Sequence, residues 1–311
     1  MSHPEFTIRA MAPADWSEVS DLICLSTNYW YQSQGKPPIF TSGPAATRLF
    51  CEVYEDLDPG CCLVAEHRQT RRLMGSCFYH PRETHFSLGI MNAHPNYFRS
   101  GVARALLAEI VQRAEEAGKP VRLVSSAMNL DSFSLYTRAG FVPRQTYQDM
   151  YLRVPDEGLP VPVHPDFQVR DARPADVPAI GALERRIAGI AREKDYRYFI
   201  ENLAGYWHAS VAESAEGTLL GFAASIAHPG STMIGPGFAV DQTVAASLLL
   251  TELDFRRGCT PVFLLPVDAA DLVQQAYLWG SRNCEMHVAQ VHGKWQPIQG
   301  IVLPTFMPET G

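Results

Sequence analysis

Positive charge is scarce in this 311-residue chain, where 26 Lys and Arg stand against 33 Asp and Glu, a net charge of -7. No basic block and no stripe of alternating basic and aromatic residues offsets that balance, so no nucleic-acid partner is expected. Long apolar runs are missing too. No window is apolar over the roughly 20 residues that a membrane span needs. The opening MSHPEFTIRAMAP has neither a charged segment followed by an apolar one nor an Arg- and Ser-rich amphipathic pattern. A cytoplasmic protein with no membrane partner is the expectation. Cys24, Cys51, Cys61, Cys62, Cys77, Cys259 and Cys284 show no C-x-x-C spacing, and the histidines show no H-E-x-x-H, so neither a disulfide framework nor a metal site is expected.

What is present is enough apolar material, 46% of the residues, for substantial cores, in a chain about twice the usual length of one domain. A repeat divides it. FTIRAMAPAD at residues 6–15 returns as FQVRDARPAD at 167–176, and each copy reads as a short strand, a Pro-Ala-Asp turn and an amphipathic helix. Val64-Ala65-Glu66 followed by Leu73-Met74-Gly75 is answered by Val211-Ala212-Glu213 followed by Leu219-Leu220-Gly221, and both read as hairpins. The proline-dense stretch from Val154 to Pro165 reads as an extended linker. We therefore expect domains over 1–154 and 167–311, joined by 155–166.

In the first domain the patterning predicts a strand over 6–11 and helices over 14–27 and 44–56. Strands follow near 61–67, 73–79 and 85–93, then a helix over 101–117, a strand over 120–126 and a helix over 130–139. Two strands, near 141–144 and 147–153, end it. The helix from 101 is well marked by the apolar stripe Ala103, Leu106, Leu107, Ile110 and Ala114, with Gly118 closing it.

The segment AHPNYFRSGVARALL (93–107) resembles the acetyl-CoA signature of the GNAT superfamily of N-acetyltransferases, V-x-P-x-x-(Q/R)-x-x-G-x-(G/A). Physically, the unpaired amides at a helix N-terminus attract an anion, and small residues at Gly101 and Ala103 let a diphosphate approach the main chain. The resemblance implies that the amides of Phe98, Arg99, Ser100, Gly101, Val102 and Ala103 hold the diphosphate of coenzyme A. Phe98 departs from the family's Gln or Arg. A second segment, NLDSFSLYTRAGF (129–141), is similar to the family's N-x-x-(S/A)-x-x-L-Y-x-x-x-G-F. It implies contact of Asn129 and Ser132 with the cofactor arm, with Asn129 equally able to be an N-cap alone. Tyr136 would be the general acid that protonates the leaving thiol.

The fold that the resemblance implies is α+β: two tandem GNAT-type domains, each a mostly antiparallel twisted sheet flanked by helices. The implied reaction is transfer of an acetyl group from acetyl-CoA to a primary amine of a small molecule by direct attack on the thioester. Main-chain groups of Met91 and Ala93 would hold the pantetheine arm and the thioester oxygen. The strand over 85–93 lacks the carboxylate that often serves as base, which leaves His85, His80, Glu83 or a water chain, and of these we name His85. Trp30 and Tyr31, within the aromatic run Tyr29-Trp30-Tyr31, are candidate acceptor-site residues.

In the second domain, aligning Leu248-Leu249 with Leu106-Leu107 puts Thr243 where Gly101 stands and Asp241 where Arg99 stands, and Ala270 falls where the Asn would be. That half reads as a degenerate copy that braces the first or walls the acceptor pocket. The other readings are a non-catalytic acyl-CoA-binding or scaffold module and an enzyme taking a longer acyl chain. Acceptor identity and oligomeric state leave no mark in the sequence.

Overall fold

The computed structural model describes residues 5–308, so Met1–Pro4 of the N-terminal reading and residues 309–311 lie outside it. The first half runs β1 (Phe6–Ala10), α1 (Trp16–Ser33), α2 (Pro44–Leu57), β2 (Cys62–His67), β3 (Leu73–Pro81), β4 (Phe86–Ala93), α3 (Val102–Glu116), β5 (Val121–Ser126), α4 (Leu130–Arg138) and β6 (Val142–Tyr151). The second runs β7 (Phe167–Asp171), α5 (Val177–Ala188), α6 (Glu193–Glu201), β8 (Trp207–Ser214), β9 (Leu219–His228), β10 (Ser231–Ala239), α7 (Gln242–Phe255), β11 (Val262–Pro266), α8 (Ala270–Leu278), β12 (Arg282–His292) and β13 (Ile301–Leu303). Two expectations are refined. Helix α1 continues through the aromatic run to Ser33, and β6 is one strand. Its break in patterning comes from Pro143, which lacks an N–H, and a bulge that places Arg144 opposite no partner.

All strands belong to one sheet, ordered β1-β2-β3-β4-β5-β12-β6-β11-β10-β9-β8-β7, with β13 added to β10. Among the described residues only β4–β5 and β10–β11 pair in parallel, so the sheet is mostly antiparallel. Helices cover both faces. The order also shows an exchange: β12, from the second half, pairs with β5 of the first, and β6, from the first, pairs with β11 of the second. Each half thus receives the other's long penultimate or final strand.

The cores follow that exchange. On one face α1, α2, α5 and α6 close a continuous apolar cluster that draws on both halves, including Val19, Ile23, Leu49, Ile180, Ile187 and Tyr196. On the other face the halves keep separate cores, one under α3 with Leu106 and Ile110 and one under α7 with Leu248 and Leu249. Burying such side chains removes on the order of 1.5–3 kcal/mol each from the cost of folding. The shared face also buries an ion network: the Arg82 guanidinium joins Asp58 of the first half to Asp195 of the second, each at 2.8 Å, and all three side chains are almost fully buried. No described helix is long and apolar enough to cross a membrane, and no His, Cys, Asp and Glu group suited to a metal ion occurs among the described residues.

Candidate active site

Strands β4 and β5 pair only at Phe86 with Val121 and Ser87 with Arg122, and beyond that point they part. The reason lies in β4, where Gly89 and Ile90 stand opposite the single residue Phe78 of β3. Such a bulge sharpens the local twist and turns the strand away from its neighbour. From Ile90 to Ala93 the edge of β4 facing β5 is therefore without a strand partner, a row of main-chain donors and acceptors lining a wedge-shaped cleft.

The loop over 94–101 closes the wide end of that cleft. It makes one short turn over Pro95–Tyr97, passes through Arg99 at φ 66° and ends at Gly101, whose φ of 87° lies in the left-handed region that a side chain disfavours. The amides of Phe98 and Ser100 donate within the loop, to Pro95 and Tyr97 at 3.3 and 3.2 Å. No main-chain acceptor among the described residues takes those of Arg99 and Gly101, and Val102 and Ala103 open α3 with the free amides of a helix start. Of the predicted diphosphate donors, the geometry thus leaves Arg99, Gly101, Val102 and Ala103 available and occupies Phe98 and Ser100. The Phe98 ring turns outward against Tyr29 of α1, 5.8 Å between centroids. These features suit a large anion with a hydrogen-bonding arm, as coenzyme A has.

Helix α4 follows β5 on the same side as α3. Asn129 is its N-cap, its Oδ1 accepting the Ser132 amide at 3.1 Å, which accounts for both residues without a ligand. Tyr136 is buried in the core of the first half, its ring 5.9 Å from that of Phe141.

His85 lies elsewhere. It precedes the paired end of β4, six residues from Met91, a strand length on the order of 15–20 Å. Its side chain is buried, with Nδ1 at 3.0 Å from the Thr84 hydroxyl and Nε2 at 3.1 Å from that of Ser87. Burial, followed by the charges of Arg122 and Arg192, holds its pKa well below the ordinary histidine value. The structure therefore does not bring His85 to the open end of the cleft, and the base role expected of it does not follow from this geometry. His80 is also engaged elsewhere, Nδ1 on Asp58 at 2.7 Å in the buried ion network.

On the opposite face, α1 covers the open end. Tyr31 is half-buried and its hydroxyl donates to Glu285 Oε2 at 2.5 Å, while Trp30 packs edge-on against it at 4.8 Å. The Ser126 hydroxyl, at the end of β5, donates to the other Glu285 oxygen. Beside them His287 Nδ1 meets Asp149 Oδ1 at 2.9 Å. Burial pushes the Tyr31 phenol up, with Glu285 adding to it, and burial raises the Asp149 carboxyl against the pull of His287. The sequence reading missed Asp149, Glu285 and His287. Their signal was Glu285 and His287 two apart on a strand, hence on one face, but only the strand exchange carries β12 to the first half.

The second half repeats the bulge, with Gly235 and Pro236 opposite Ala224, and the parting of β10 from β11 after Ile234. Here the edge is filled. β13 pairs with Gly237, Phe238 and Ala239, the counterparts of Met91, Asn92 and Ala93. Gly75 packs under Val102 and Leu106, and Gly221 under Val244 and Leu248, which fixes the correspondence of the two helices. The loop 94–101 is then answered by 240–243, half its length, and Asp241 caps α7 by accepting the Val244 amide at 2.9 Å.

Comparison with known proteins agrees with this geometry. Residues 27–141 match the model of the acetyltransferase (GNAT) family. A Pyrococcus horikoshii protein has the same fold over 99% of this chain and 97% of its own, with a TM-score of 0.73 at 15% identity. A tandem GNAT protein from the clavulanic acid biosynthesis pathway superposes with a TM-score of 0.60 at 14% identity, covering 93% of this chain and 99% of that one. Among curated proteins, the UPF0157 protein YqkA of Bacillus subtilis (strain 168) is 33% identical over 82 residues, 26% of this chain and 24% of that protein's length.

Proposed function

We propose that the first half binds acetyl-CoA and transfers its acetyl group to a primary amine of a small molecule, while the second half binds none. The observation that carries this reading is the contrast between two copies of one cleft. The first leaves the Ile90–Ala93 edge and the Gly101 loop open, and the second fills the same edge with β13 and shortens the loop. Arg99, Gly101, Val102 and Ala103 would hold the diphosphate, and Met91 and Ala93 the pantetheine arm. When bound, the thioester supplies an acyl carbon open to attack. The chain's own part is to orient that carbon, exclude water beneath α1, and deliver a proton from the Tyr136 hydroxyl to the departing sulfur.

The test is calorimetric titration with acetyl-CoA, coenzyme A and a medium-chain acyl-CoA, followed by thiol release with a set of primary amines. One site per chain, and a Tyr136→Phe variant that keeps acetyl-CoA affinity while losing about 100-fold or more in kcat, is the expected result. Binding without transfer to any amine would leave an acyl-CoA-binding module, and tighter binding of the longer acyl chain would point to a different acyl donor.

A further inference from the structure

An alkylamine with a pKa near that of lysine, about 10.4, is neutral in fewer than about one molecule in a thousand at pH 7, so transfer to it calls for a group that accepts its proton. Strand β4 carries no carboxylate between Phe86 and Ala93. Asn92, whose side chain faces α1, uses its amide to hold Ser26 at 2.7 Å. His80, held through Nδ1 by Asp58, and His85, bonded at both ring nitrogens, lie buried at the paired end of β4. The titratable side chains at the open end of β5, on the face beneath α1, come instead from the exchanged strands.

There His287 stands directly across from Ser126 of β5 and from Tyr147 of β6. A carboxylate only accepts hydrogen bonds, so Asp149 holds the proton on His287 Nδ1 and leaves the lone pair on Nε2. His287 is 7% exposed. Its Nε2 has no hydrogen-bond partner among the described residues, and its ring is braced by Phe306 at 4.5 Å. An imidazole oriented through one nitrogen by a buried carboxylate and free at the other is the arrangement of a general base. Facing it are Asp149 and Tyr147 from β6, Glu285 from its own strand, Tyr31 from α1, and Lys36, whose ammonium lies 5.9 Å from the Tyr31 ring and 3.5 Å from Met128 Sδ.

We propose that the strand exchange completes the active site, with His287, oriented by Asp149, accepting the proton of the acceptor amine beside the carboxylate of Glu285. This rests on the acetyl-transfer reading above. The ammonium gives one proton to Nε2, making imidazolium. The freed nitrogen lone pair forms the C–N bond to the acyl carbon as the C–S bond breaks, the sulfur takes a proton, and the nitrogen's second proton and the imidazolium proton leave so that amide, thiol and one net proton result. Glu285, held by Tyr31 and Ser126, is a positioning residue that favours a cationic acceptor.

The experiment measures thiol release from acetyl-CoA with putrescine, tyramine and glycinamide between pH 6 and 10, for the full chain and the variants His287→Gln, His287→Ala and Asp149→Asn. The expected result is a loss of about 100-fold or more in kcat/KM at pH 7 for His287→Gln. Acetyl-CoA affinity stays within twofold, the deficit shrinks as pH approaches the amine's own pKa, and imidazole partly restores His287→Ala. Asp149→Asn, which keeps the side-chain shape and carries the same test if His287→Gln fails to fold, loses about tenfold or more. A His287 variant with the wild-type pH profile overturns this assignment and leaves acetyl transfer standing. Wild-type protein that binds acetyl-CoA and acetylates none of the amines overturns both.

Discussion

Leu303 of β13 pairs with Gly237 of β10 on the strand edge that Met91, the counterpart of Gly237, leaves open in the first half. The chain thus fills one of its two clefts with its own backbone. The expected outcome is that one acetyl-CoA binds per chain, and that Asp241→Gly does not create a second site. Asp241 is a helix cap, and removing its charge neither lengthens the 240–243 loop nor removes β13. Stability should change by only a few tenths of a kcal/mol for an Asp-to-Gly cap substitution. Calorimetric stoichiometry decides the matter: a second equivalent bound by Asp241→Gly would show that charge, not the strand, keeps that half empty.

The exchanged strands and the shared core predict that the halves unfold together. Arg82 joins Asp58 and Asp195 across them with its side chain 2% exposed, and Lys194 also pairs with Asp58. Replacing it by Gln leaves buried carboxylates without their main partner, at a cost of about 3–5 kcal/mol. Urea unfolding followed by far-ultraviolet circular dichroism and by tryptophan fluorescence should give one coincident transition for wild type, and one shifted to lower urea for Arg82→Gln. Two separated transitions would mean that the halves are independent.

Much of this was legible from local pattern. The apolar stripe of α3, the two hairpins and the repeat at Phe6 and Phe167 depend on neighbours in sequence, and the helix and strand positions follow them closely. The cleft loop was legible for the same reason, since Gly101 marks a turn that few other residues allow. The partners of β6 and β12 were not. An antiparallel strand with alternating polar residues fits either half equally well, and the choice is made by pairing across the whole chain. Nothing local in the sequence therefore brings Asp149, Glu285 and His287 together. Asn129 shows the opposite limit: a motif residue whose cap bond explains it without a ligand.

Phe98 and Gly101 should differ sharply in their effect on cofactor binding. Phe98 is 47% exposed, its ring lies on Tyr29 and its amide is used inside the loop, so Phe98→Gln is expected to keep acetyl-CoA affinity within about threefold. Gly101→Val forces a branched residue to φ 87°, at a cost on the order of 1–3 kcal/mol, and moves the amides at the start of α3. A Kd at least tenfold weaker is expected for it by calorimetry. Equal losses in the two variants would mean that the side chain at 98 matters to the ligand as much as the main chain of the loop.

His85 makes its own prediction, about stability and not catalysis. Burial, with Arg122, Arg192, Arg82 and Lys119 nearby, holds its folded pKa well below the usual value, so the imidazole is neutral in the folded chain. In the unfolded chain it titrates near 6.5. Below about pH 6.5 the unfolded state therefore binds a proton that the folded state refuses, and stability falls as pH falls, by up to about 1.4 kcal/mol per pH unit until the folded value is reached. Above pH 6.5 the group contributes no slope. His85→Gln keeps a side chain able to bond Thr84 or Ser87 and removes the titration. Other groups, such as buried His80, impose slopes of their own, so the quantity to read is the difference between wild-type and His85→Gln urea stabilities at pH 8, 7, 6 and 5. That difference should be flat from pH 8 to 7 and then shift in favour of the variant as pH drops. Parallel curves down to pH 5 would mean that His85 takes up its proton in the folded state, and that the pocket it shares with Ser87 admits charge.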